Sequence, residues 1–143
     1  MTIATKGAKF MFEIIRRIGA ITRLIQIDSN QHFKEQKLNN NLFIYIIRTV
    51  EQPGMFLGEL ADSMQIDRTT SFRTVKKLIE MGYLELENDT ENRKIKRVYP
   101  TQRAKQIYPE LHSYEQVKSD NLLSALTEDE REQLRQLLNK LTV

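Results

Sequence analysis

The sequence predicts a mainly α chain carrying one small β-hairpin. Apolar residues recur at three- and four-residue steps over most of its length. After Gly82 the pattern changes to alternation, and a polar stretch, residues 88–92, separates two strand-like runs. At 143 residues, with 40% hydrophobic and 29% charged residues, the chain has the size and composition of one domain, expected to span 1–143.

Phe10, Ile14, Ile18, Ile21 and Ile25 define a first helix from about Phe10 to Phe33, broadened by Met11, Ile15 and Leu24. A long apolar helix near a terminus calls for a partner. Asn39 is placed to cap a second helix through Leu42 to about Val50, ended by Pro53-Gly54. Leu57 to Met64 reads as a short helix with Leu60, Ala61 and Met64 inward. Gln65-Ile66-Asp67 then turns into a longer helix from Arg68 to about Met81, with Asp67 as N-cap. Its apolar stripe is Phe72, Val75, Leu78 and Ile79, and its other face is Arg68, Thr69, Thr70, Arg73, Thr74 and Lys77.

Gly82 suits the left-handed position that ends a helix. Tyr83 to Glu87 follows as a strand with Leu84 and Leu86 inward, and Ile95 to Tyr99 returns with Ile95 and Val98 as its apolar members. Thr101 can cap a helix from Gln102 toward Leu123, bent early by Pro109. Thr127 and Glu130 have capping-box spacing for a last helix, which packs through Leu134, Leu137, Leu138 and Leu141.

Helix, short turn, helix and hairpin in that order make a winged helix-turn-helix core over about 38–100. In that architecture the second helix enters the major groove and the hairpin reaches toward the minor groove. The charge distribution suits this use. Residues 68–79 carry Arg68, Arg73, Lys76 and Lys77 with no acid, and residues 92–109 carry Arg93, Lys94, Lys96, Arg97, Arg103 and Lys105, again with none. Arg offers a bidentate fork to guanine, Thr and Ser offer short hydroxyls, and Lys supplies charge to the backbone. Thr69-Thr70-Ser71 are mediocre helix formers, a sacrifice that a DNA-contacting first turn explains. The same scaffold can serve protein contact instead. That use would replace some of Arg68, Arg73, Lys77 and Arg93 with acidic or apolar residues, and all four are basic here.

Other chemistry finds little support. There is no cysteine, and His32 and His112 lie in separate helices, each with too few carboxylates nearby for a metal site. No Gly-rich phosphate loop or nucleophile turn occurs. We therefore expect no enzyme activity, no cofactor and no metal. The longest clean apolar run, Leu42 to Ile47, is far below the roughly 20 residues of a membrane span. The N-terminus lacks a signal-peptide pattern, so a cytoplasmic protein is expected.

Leu57-Gly58-Glu59-Leu60-Ala61-Asp62, Thr69-Thr70, Val75-Lys76-Lys77-Leu78, Gly82-Tyr83-Leu84, Arg93, Val98 and Thr101 together resemble the MarR family of transcriptional regulators. The similarity covers nearly the whole chain. It implies a homodimer of triangular outline in which the terminal helices, about 8–34 and 102–142, interlock while two winged cores read a pseudo-palindromic operator in double-stranded DNA. It further implies repression and DNA contacts by Arg68, Thr69, Thr70, Arg73 and Lys77, with Arg93 and Lys94 at the wing and Glu91 bracing Arg93. Pro100 and Ala104 replace the family's usual Leu and Gly at the joint between second strand and following helix. The family also suggests a small phenolic or lipophilic effector. Phe33, Phe43, Tyr45, His32 and Arg17 could lie near such a site, but aromatics at helical spacing more often form core, and no effector site is assigned.

Overall fold

The computed structural model describes residues 3–142, with side chains described from Phe10 onward. Six helices and three short strands follow one another as α1 (Ile3–His32), α2 (Asn40–Glu51), β1 (Met55–Phe56), α3 (Leu57–Ser63), α4 (Arg68–Glu80), β2 (Leu84–Asn88), β3 (Lys96–Pro100), α5 (Gln102–Leu123) and α6 (Glu128–Lys140). None of these helices is long and apolar enough to cross a membrane. α1 begins at Ile3 instead of Phe10, and the other helix boundaries fall within a residue or two of those expected.

The caps explain most boundaries. The Asn39 side chain accepts from Leu42 N at 3.1 Å, and the Thr101 hydroxyl accepts from Ala104 N at 3.3 Å. At α6 both halves of the capping box form, with Thr127 N donating to Glu130 Oε1 at 2.9 Å and Glu130 N to Thr127 Oγ1 at 3.2 Å. α5 runs unbroken through Pro109, where the helix lacks one backbone donor.

β1 is a strand that periodicity does not announce. Gly54, at φ +86°, turns the chain after α2 and donates to Val98 O at 2.9 Å, after which Met55 pairs with Val98. The sheet is antiparallel in the order β1-β3-β2, with Leu84 opposite Pro100 and Asn88 opposite Lys96. Pro100 is buried in this pairing and Ala104 is wholly buried, so both departures from the family pattern are accommodated at the joint. Thr101 completes that joint by donating to Gly82 O at 2.6 Å, with Gly82 at φ +83°.

The core lies where α2 meets α5, α4 and the sheet. Phe33, Phe43, Tyr45, Ile46, Leu60, Val75, Leu78, Leu84, Val98 and Leu111 are all buried. Phe33, Phe43 and Tyr45 are thus core residues, as their spacing suggested. Two apolar expectations fail. Phe72 is 41% exposed and Leu86 37% exposed, and the buried row of α4 is Ser71, Val75 and Leu78. Phe72 directly follows Ser71, and the 100° advance of one helical residue carries it to the flank of that row. Leu86 shares a strand face with Leu84 but lies further out along the hairpin, beyond the helices that cover Leu84. No residue of α6 is buried, and Leu134, Leu137, Leu138 and, just past its end, Leu141 face outward with Phe10, Ile14 and Ile18 of α1.

Candidate nucleic-acid interface

The turn from α3 to α4 is built on backbone geometry. Gln65 adopts φ +55°, and its N and Nε2 donate to Asp62 O at 3.1 and 2.9 Å. Asp67 then caps α4, its carboxylate accepting from Thr70 N at 3.0 Å and from the Thr70 hydroxyl at 3.2 Å. An acid at this cap offsets the positive end of the helix and fixes where its first turn begins.

With Ser71, Val75 and Leu78 buried, the 100° advance per residue places Thr69, Arg73, Lys76 and Lys77 on the opposite, exposed face. The side chains of Arg73, Lys76 and Lys77 take part in none of the hydrogen bonds or ion pairs found among the described residues. Lys76 therefore joins the expected candidates. On the helical wheel it stands beside Arg73, a position that the sequence alone already gives.

Arg68 behaves differently. It lies one turn before the buried row, and its guanidinium rests against α3 while the side chain stays largely exposed. Nε donates to Asp62 Oδ1 at 3.1 Å and the terminal nitrogen to Oδ2 at 2.6 Å. The guanidinium hydrogen bond holds the Asp62 carboxyl below its usual range and raises Arg68 in turn.

In the wing, Arg93 and Lys94 lie exposed at the turn between β2 and β3, with Lys94 N donating to Asn92 Oδ1 at 3.1 Å. The expected Glu91–Arg93 brace is not among the ion pairs of the described residues. The wing is braced by Asp89 and Arg97 at 2.8 Å. Asp89 also accepts from Asn92 N at 3.0 Å and Glu91 N at 3.3 Å, and the Arg97 bond, followed by the Asn92 amide, holds its carboxyl below the usual range. Asp89, just after β2, and Arg97, in β3, flank the turn from its two sides. Arg97 further donates to Gly54 O at 2.7 Å and stacks 4.2 Å from the Phe56 ring. Arg103 likewise turns inward, donating to Met81 O and lying 4.5 Å over the Tyr83 ring. Two arginines of the second basic stretch thus hold the wing and the end of α4.

This arrangement is an exposed, cation-rich helix on a braced turn, followed directly by a hairpin with basic residues at its tip. A family model described as a winged helix DNA-binding domain matches residues 40–104, from α2 to the start of α5. The HTH-type transcriptional regulator YybA of Bacillus subtilis is 35% identical over 91% of this chain and 87% of its own length. A MarR family transcriptional regulator from Listeria monocytogenes, solved in complex with 26-mer DNA, superposes with a TM-score of 0.83 at 34% identity, covering 88% of this chain and 84% of its own. The chain belongs to the MarR family. A second structural relative, the transcriptional regulator SlyA, aligns with a TM-score of 0.84 and 36% identity over 89% of each chain. As a MarR family member the chain is a DNA-binding transcriptional regulator of mainly helical, winged architecture.

Proposed function

We propose that this MarR family chain works as a homodimeric, sequence-specific repressor on a pseudo-palindromic operator. Its winged helix-turn-helix core, about 38–100, reads the duplex, and α1 and the helices after residue 102 join the subunits. The observation that carries the reading is the exposed face of α4, which presents Thr69, Arg73, Lys76 and Lys77 without side-chain partners among the described residues, while Ser71, Val75 and Leu78 anchor the helix. Arg73 is placed for a guanine fork, Thr69 and Thr70 for bases or phosphates of the first turn, and Lys77 for the backbone. Arg93 and Lys94 reach the adjoining minor groove from the braced wing. Two such helices in one dimer would occupy successive major grooves roughly 10 base pairs apart.

Support for the dimer comes from a groove between α1 and α6 lined by Phe10, Ile14, Ile18, Leu134, Leu137 and Leu138, all exposed in the single chain. A contiguous apolar surface of this kind on a regulator is best covered by its own copy. Repression follows if the occupied operator excludes polymerase, and a cytoplasmic location fits that task. A small phenolic or lipophilic effector would find an apolar recess between α1, α2 and α5, lined by Ile25, Phe43, Ile44, Tyr114, Lys118 and Leu122.

Titration against a labelled duplex from upstream of the gene, with random duplex as competitor and two salt concentrations, tests the reading. Retained preference with steep loss of affinity in salt is expected. Absence of binding at low salt by a protein that sediments as a dimer would overturn it. Benzoate and hydroxylated analogues added to the complex test the effector clause, which fails if none releases the DNA.

A further inference from the structure

The fork between Asp62 and Arg68 stands apart from the rest of the interface. Asp62 lies in the last turn of α3, and its carbonyl is fixed by two bonds from Gln65, so the carboxylate springs from a well-held point. Arg68 opens α4, and its guanidinium lies against the backbone of α3: a Cβ at Gly58 would stand 3.1 Å from Arg68 Cζ. Glycine at 58 leaves the room that this seat requires. Both carboxylate oxygens are engaged by the fork. The pair is nevertheless exposed, with 62% of the Arg68 side chain and 57% of Asp62 accessible. Exposed pairs contribute little to stability and are weakened by salt, so stability is a poor reason for this geometry.

A guanidinium in the first turn of a recognition helix is a ready phosphate ligand, because phosphate offers the same bidentate acceptor geometry as carboxylate. We propose that Asp62 acts as an internal phosphate mimic that occupies Arg68 and so limits the sequence-independent part of DNA affinity. The inference rests on the DNA-binding reading above and adds a residue that no base or phosphate touches. Removing the carboxylate would release one cation to the DNA backbone. Since phosphate contacts carry no sequence information, the gain would be the same on any duplex.

Random-sequence duplex is therefore a sufficient probe. Full-length wild type, Asp62→Asn, Arg68→Ala and the double variant are titrated across a salt series, with thermal melts alongside. Asp62→Asn is expected to tighten binding several-fold and to steepen the logarithmic salt slope by about 0.9, the increment for one further phosphate. Arg68→Ala alone leaves the Asp62 carboxylate unpaired and should bind more weakly than wild type, and the double variant should lose the gain and return to wild-type affinity. A gain that survives in the double variant would be a bulk charge effect and would overturn the restraint. So would an unchanged Asp62→Asn slope, or a double variant that binds far more weakly than wild type in a protein that melts normally. Wild type that binds no duplex at low salt would instead remove the DNA-binding reading, and this inference with it.

Discussion

Arg93 and Arg97 are both basic wing residues, yet the structure gives them opposite tasks. Arg97 is consumed by Asp89, Gly54 O and the Phe56 ring, whereas Arg93 stays exposed at the tip. Arg93→Ala should accordingly weaken DNA binding by about ten-fold, within the range of one lost charged contact, and leave the dimer and its melting temperature unchanged. Equal affinities in a mobility-shift titration would take the wing out of the mechanism. The sequence distinguishes these arginines poorly, because inward and outward cations look alike until the Gly54 turn, 43 residues away, is brought to Arg97. Asp28 offers a titratable case. It accepts from the Tyr114 hydroxyl and pairs with Lys118 Nζ at 2.9 Å, and these hold its carboxyl below the ordinary value of 3.8. A carboxylate depressed in the folded state stabilises above its unfolded pKa and loses that contribution as pH falls through the folded one. The stability gap between wild type and Asp28→Asn should thus shrink below about pH 4 in thermal melts. A gap constant down to pH 3 would show that the α1–α5 tie does not depend on this charge.

Elements were legible where their determinants are local. Asn39, Asp67, Thr101 and Thr127 each announce a helix start because a cap acts within three residues. β1 was not legible, since two residues cannot display alternation and their pairing with β3 is long-range. The outward turn of Phe72 was hidden because Ser71, a small hydroxyl residue, took the inward place that an apolar count assigns to its neighbour. Thr101 serves two elements at once, capping α5 and bonding Gly82 O at the end of α4. Thr101→Val keeps the shape and loses both bonds, so a cost of about 1–3 kcal/mol is expected in chemical denaturation. A loss no larger than that of a surface substitution would mean that the joint is held by Pro100 and Ala104 packing alone.

At the scale of the whole molecule, the described surface divides into a cation-rich reading face and an apolar groove along α1 and α6. The α6 stripe is visible in sequence, and within one chain it stays exposed beside the stripe of α1. Leu138→Glu, at the groove and distant in sequence from α4, should convert the proposed dimer to monomer in sedimentation and reduce operator affinity by at least 10²-fold, as each subunit would then bind one half-site alone. A dimeric Leu138→Glu protein would place the interface elsewhere.

An α6 without a single buried side chain also bears on how long the protein survives in a cell. Thirteen residues are about the length at which an isolated helix becomes marginal in water, and the capping box at Thr127 secures only its start. A subunit lacking its mate would fray from Lys140 backward and offer the segment after Leu123 to proteases, while paired subunits would shield it. Turnover would then fall selectively on unassembled chains, and surplus synthesis would be trimmed to the amount that can pair.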